Sequence, residues 1–267
     1  VKEVVATEVS RANTCPYCVD VHQATLQTLP PARAGTTDAV GAWARTSGLR
    51  PEAGSDPAAV PFPAEHAPEI YGVAVVFHYI NRMVHLFLAA SPVPEQAPGF
   101  LRGTILRTAA KAMRPASGAP LQPGVSLDLL PEAPLPAGLD WARGNLPVAQ
   151  ALGRAVAAVT DSARWVPPSV RELLDGRLAE WDGTPPPGPG RAWVEEAVTD
   201  LPDADRPAAR LALLTAFTPY QVLDADIAAF RERHAGDQEL IELTSWAALS
   251  AALCVGGRFA VPSPAAL

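Results

Sequence analysis

The chain has 267 residues and a formal net charge of −7, with no Lys- or Arg-rich run, which excludes the basic surface of a nucleic-acid-binding protein. Hydrophobic residues make up 48% and charged residues 18%, the balance of a globular chain with a sizeable core. Three cysteines are too few for a disulfide-stapled secreted scaffold, so a reducing, cytoplasmic setting is expected, where a close cysteine pair points to catalysis or metal.

Helical signals run the length of the chain. Strand signals are almost absent, since no alternating runs flank an Asn-Gly or Asp-Gly turn. The opening VKEVVATEVSR already reads as helix and carries no signal-peptide pattern, so further residues upstream of Val1 are expected. Helices are predicted near 1–12, 15–29, 36–48, 66–90, 99–112, 146–163, 168–181, 190–199, 204–217, 222–233 and 236–255, many opened by proline or an acidic cap such as Asp203 or Asp205 ahead of Pro207. The most apolar segment, Tyr71 to Ala90, contains His78, Asn81, Arg82 and His85, a polar load that a membrane span rarely carries, so it reads as a buried core helix. His78 and His85 are candidates for a pocket lining. Residues 113–140 are rich in Pro and Gly and read as an ordered-to-mobile connection, and GTPPPGPG over 183–190 as a linker.

The expected fold is all-α: a helical bundle built from two related halves. Residues 1–92 form an active half with the cysteine hairpin, 93–145 a connection with one helix, and 146–267 a second, degenerate half. At an offset of 208, residues 1–30 overlay 209–238: Thr7 meets Thr215, Ser10 meets Thr218, and Cys15, Cys18 and His22 meet Leu223, Asp226 and Phe230. The hydrophobic rhythm carries over and the chemistry does not.

The chemistry is concentrated in RANTCPYCVDVH, Arg11 to His22. Asn13 or Thr14 can cap a helix and Pro16 suits its first turn, which puts Cys15 and Cys18 beside unpaired amides at the positive end of the helix dipole. A thiolate is favoured there over a thiol. Cys18 and His22, four apart, share a helix face, so the imidazole can take the Cys18 proton directly or through a water, and Cys15 is close enough to close a disulfide. A zinc site would need a second ligand pair, and the sequence offers none. A base needs an orienting group. If helix 1–12 folds back on helix 15–29, Ser10 falls near Cys18 and Glu3 on the same face near His22, whereas Glu8 is rotated by roughly 140° from Glu3 and is expected to point to solvent. Cys254 reads as a core thiol.

These residues resemble the alkylhydroperoxidase D-like branch of the carboxymuconolactone decarboxylase family. The family pattern is a Glu, the first Cys of C-x-x-C twelve residues later, and a His four after the second Cys, matched here by Glu3, Cys15, Cys18 and His22. SRANTCPYC and the later YINRM, Tyr79 to Met83, resemble peroxidase-related members. The resemblance is specific over about residues 1–30 and extends to about residue 90. It implies an all-helical, homo-oligomeric protein that reduces organic hydroperoxides without haem, metal or other cofactor. Cys18 would be the peroxidatic thiolate, Cys15 the resolving thiol, His22 the base and Glu3 its orienter, with an external dithiol of lipoyl or thioredoxin type as reductant. The family's well-studied enzymes carry a second His just before the second Cys. Here that position is Tyr17, whose hydroxyl either supplies a hydrogen bond or only packs. Two other functions are compatible with the sequence: a lactone decarboxylase- or isomerase-like enzyme with His22 as base, and a non-enzymatic redox-sensing or interaction protein.

Overall fold

The computed structural model describes residues 1–29, 36–94, 96–112, 122–188 and 190–261. These form eleven α-helices and, among the described residues, no strand. In chain order they are α1 (Lys2–Ala12), α2 (Pro16–Gln27), α3 (Thr36–Thr46), α4 (Ala67–Phe87), α5 (Gly99–Ala112), α6 (Leu146–Ser162), α7 (Pro168–Glu180), α8 (Ala192–Val198), α9 (Arg206–Phe217), α10 (Asp224–Arg231) and α11 (Asp237–Gly256). The all-α class is as predicted, and the predicted helices overrun these bounds by a few residues at the ends, where fraying and caps decide the limits. Pro16, Pro68, Pro147, Pro168 and Pro207 all sit in first turns, where a missing N–H costs nothing.

The two long helices α4 and α11 pack against each other at the centre. Tyr79 meets Ser245, with 3.2 Å between hydroxyls, and Val75 lies against Gly256, so the two run antiparallel. A Cβ on Gly256 would come within 2.9 Å of Val75, which is why the close approach takes glycine there. One core gathers Val5, Val9, Val40, Ile70, Tyr71 and Val75 around α1, α3 and α4, with Tyr71 stacked on Phe259 at 4.6 Å. The other gathers Leu174, Val194, Leu211, Phe230 and Leu243 around α7 to α11. By length and composition α11 is apolar enough to cross a membrane, yet Leu240, Leu243, Ala247, Ala251 and Val255 are buried inside the bundle. The core-helix reading of Tyr71–Ala90 holds for one face of α4 only: Val76, Ile80 and Phe87 remain exposed.

Part of the predicted connection, 113–121, and residue 189 of the 183–190 linker lie outside the described residues. The remainder of that connection is tied down. Arg154 on α6 donates to the carbonyls of Leu127 at 2.8 Å and Leu130 at 2.6 Å, and the indole of Trp141 donates to Gly256 at 2.9 Å. Gly183, at φ +101°, opens the proline-rich stretch hard against Gly48, where a Cβ would meet the Gly48 carbonyl at 2.1 Å.

α1 packs on α2 and α4, and α9 packs on α10 and α11, so the hairpin-plus-long-helix unit occurs twice. Cys15 and Leu223 are the residues that open α2 and α10, Cys18 and Asp226 stand three residues further on, and the Thr7 and Thr215 hydroxyls each bond the carbonyl four residues back at 2.7 Å.

Candidate active site

The site is built where α1 turns into α2. Asn13 ends α1, Thr14 takes a left-handed conformation at φ +52°, and Cys15, extended at φ −95°, opens α2 with Pro16 next. The expected cap, Asn13 or Thr14, is therefore corrected to Cys15 itself. Asn13 is two residues too early because Thr14 is used to reverse the chain, and its side chain is drawn to α4. The Cys15 amide donates back to the Ser10 carbonyl at 2.9 Å, closing the turn.

Both thiols are buried, Cys15 to 1% exposure and Cys18 to 5%, and neither is in a disulfide. The hydrogen bond from the Cys18 thiol holds Cys15 below the ordinary thiol range against the opposing effect of burial, with the Cys18 amide and the Asn81 side chain helping. Cys18 is pushed up, first by giving that bond, then by burial and the Cys15 charge. The pair therefore titrates as a unit: contact with Cys18 favours charge on Cys15 and opposes it on Cys18, so a first charge is eased and a second opposed.

His22 and Glu3 meet. The imidazole Nδ1 lies 2.9 Å from Glu3 Oε2, and the His22 ring stands edge-on to Phe77 at 4.7 Å, so one side is oriented by charge and the other by packing. No hydrogen bond joins His22 to either sulfur among the described residues. Glu8 does not point to solvent as expected. It bonds Arg45 of α3 at 2.8 Å and lies 3.5 Å from Arg11, because α3 covers the α1 face to which Glu8 turns. Tyr17 is half-buried, and its hydroxyl has no hydrogen-bond partner among the described residues. Ser10 is fully buried, donates to the Ala6 carbonyl at 2.7 Å and is among the groups that lower the Cys18 thiol.

His78 and His85 are both bonded around the turn. His78 is held between Asn13 at 3.2 Å and Ser47 at 3.1 Å, and burial, with Arg82 and Arg258 nearby, pushes its pKa down to about 3. His85 donates from Nε2 to the Asn13 carbonyl at 3.3 Å, and burial lowers its pKa too. Asn81, fully buried, accepts from Asn13 at 2.9 Å and donates to Ser10 at 3.1 Å. Asn13 and Asn81 escaped sequence reasoning. Their signal was polar residues at His78, Asn81 and His85, one face of an otherwise apolar helix. The next residue, Arg82, donates to Ala216 on α9 at 2.9 Å and tethers the two hairpin units through α4.

A cavity of about 580 Å³ opens between α4, α6 and residues 122–124, walled by Val73, Val76, Phe77, Val148 and Ala151. Phe77 is common to this cavity and to His22. In the second hairpin unit Asp226 fills the Cys18 position, its carboxylate accepting from the Leu223 amide at 2.8 Å and pairing with Arg191. Phe230 replaces His22 and is fully buried.

An all-helical bundle that buries a C-x-x-C pair at a helix start, with a carboxylate-paired histidine one turn along, has the build of the alkylhydroperoxidase D-like proteins. The chain is 33% identical over 273 residues to alkyl hydroperoxide reductase Rv2159c of Mycobacterium tuberculosis (strain ATCC 25618 / H37Rv), an alignment spanning 96% of this chain and 75% of that protein. It belongs to the alkylhydroperoxidase D-like family. No protein-family profile matches the chain, and no solved structure does.

Proposed function

We propose that the protein is a thiol peroxidase that reduces organic hydroperoxides through Cys15 and Cys18. The observation that carries this is the buried pair at the α2 start with the Glu3–His22 contact one turn away. Cys18 attacks the terminal peroxide oxygen, the O–O bond breaks, the alcohol leaves, and Cys18 becomes a sulfenic acid. The Cys15 thiolate attacks the Cys18 sulfur, and water leaves as the disulfide forms. For Cys18 to act first, its proton passes to Cys15 or, through one water, to His22, whose other nitrogen is fixed by Glu3. The organic group of the substrate lies in the apolar cavity behind Phe77. An external dithiol of lipoyl or thioredoxin type resets the disulfide. The exposed apolar residues Val76, Ile80 and Phe87 on α4 favour a homo-oligomer, and the free thiols a reducing, cytoplasmic setting.

The test is peroxide treatment with intact-mass readout. The wild type should lose two hydrogens, Cys15→Ser should stop at the Cys18 sulfenate, and Cys18→Ser should abolish turnover. Full turnover in Cys18→Ser would refute the assignment. A second reading, with Cys15 as attacking sulfur, is favoured by the lowered Cys15 thiol; it requires the sulfenate to accumulate in Cys18→Ser instead.

A further inference from the structure

The polar residues around the turn form one hydrogen-bonded chain whose direction is fixed at both ends. The Ser10 hydroxyl gives its proton to the Ala6 carbonyl at 2.7 Å, so towards Asn81 Nδ2, 3.1 Å away, it accepts. The Ser47 hydroxyl gives its proton to the Ala44 carbonyl at 2.8 Å, so it accepts from His78 Nε2 at 3.1 Å. His78 Nδ1 is then an acceptor and takes one proton of the Asn13 amide at 3.2 Å, while the other goes to Asn81 Oδ1 at 2.9 Å. His78 stays neutral down to about 3, so no proton moves along this chain near neutrality. Every donor hydrogen in it is committed except one, the second hydrogen on Asn81 Nδ2. Asn81 is thereby held against Ser10, whose carbonyl takes the Cys15 amide at 2.9 Å, and its amide is among the groups that favour charge on either sulfur.

We propose that Asn81 is a positioning residue of the redox pair: it is oriented by Ser10 and Asn13 so that its uncommitted N–H is delivered to whichever sulfur carries the charge. Asn13 does double duty, since its carbonyl is held by His85 at 3.3 Å and its residue ends α1 two positions before Cys15. The amide thus stabilises the anion on whichever sulfur holds it, without itself titrating. A histidine or lysine in its place would add a second protonation equilibrium. The ionisable side chains around the turn include Glu3, Tyr17, His22, His78, Arg82 and His85, with Arg258 also near His78, and Arg82 donates to the His78 and Ala216 carbonyls.

The inference rests on the thiol-pair reading of the site, so its readout is the pH dependence of thiol alkylation, which needs no peroxide turnover. Iodoacetamide labelling of the full chain, mapped to Cys15 and Cys18 by mass, should give Asn81→Leu a midpoint about one pH unit above wild type. That is about tenfold slower labelling at a fixed pH below the midpoint. Asn13→Ala, which frees the amide to rotate, should shift it the same way by less, and it decides the matter should Asn81→Leu fail to fold. Val75→Ala, a core truncation on the same helix, should lower the melting temperature and leave the midpoint in place. A wild-type midpoint in the folded Asn81 and Asn13 variants overturns the proposal, as does an equal shift in Val75→Ala. A wild type that labels as described but reduces no hydroperoxide would sink the peroxidase reading and leave this one standing.

Discussion

Replacing Glu3 by Gln keeps a carbonyl oxygen where the carboxylate oxygen lies, 2.9 Å from His22 Nδ1, and removes only the charge. A hydrogen bond to a charged group stabilises by about 1.5–3 kcal/mol and a neutral one by about 0.5–1.5 kcal/mol, so the substitution removes about 1 kcal/mol from the state in which His22 holds the proton. The two side chains are 25% and 29% exposed, and water screens part of even that. At 1.4 kcal/mol per factor of ten, the rate of sulfenate formation should fall about fivefold. Phe77 still braces the ring, so the loss should stay well short of the roughly hundredfold or greater cost of removing the base in His22→Gln. Stopped-flow consumption of cumene hydroperoxide by the reduced enzyme, in single turnover, measures both. The double variant supplies the decisive arm: with His22 gone, Glu3→Gln should have no further effect, because the carboxylate acts only through the imidazole. A fivefold loss that persists in the His22→Gln background would refute the relay and assign Glu3 to some other part of the site.

Two further outcomes follow from the frame around the turn. His78 is depressed to about 3 in the fold against about 6.5 in the unfolded chain, so the unfolded state binds the extra proton; its contribution is complete above about 6.5 and lost as pH falls towards 3. Urea unfolding at pH 5 should give about 2 kcal/mol less stability than at pH 7, and His78→Gln should flatten that difference; an undiminished difference in the variant would assign it to other groups. Thr14 holds a branched side chain at φ +52°, a conformation costing about 1–2 kcal/mol for L-residues, so Thr14→Asn should raise the urea midpoint by up to about 1 kcal/mol of stability, and a fall would show that the threonine makes a compensating contact.

The helices were legible because their signals are local: proline in first turns, apolar residues at helical spacing, and glycine- and proline-rich breaks between them. The Glu3–His22 pairing was legible for a related reason. An antiparallel helix hairpin brings together residues about equally far from its turn, and the spacing around Arg11–Thr14 fixes which those are. What escaped was set by chain far away in sequence. Glu8 was placed in solvent because nothing local says that Arg45 of α3 will lie beside it. Asn13 looked like a helix cap because the pull of Asn81 and His78, more than sixty residues on, is a tertiary effect. The apolar outer face of α4 looked like core because hydropathy records that a surface is apolar and not what covers it.

The two hairpin units bear on why the cysteine chemistry sits where it does. In each, the second helix of the hairpin begins with amides that no carbonyl of that helix can reach, and each unit supplies an acceptor at its start. In α10 the acceptor is Asp226, a fixed carboxylate that takes the Leu223 amide at 2.8 Å and is neutralised by Arg191. In α2 the corresponding position is Cys18, and the acidic member of the pair is Cys15, helped by the Cys18 amide. The preference for negative charge therefore belongs to the fold, and the side chain decides what is done with it. A carboxylate paired with arginine is an end point that holds two elements together. In the proposed function, a thiolate with a second thiol one turn away, and no arginine on it among the described residues, keeps its electron pair for reaction.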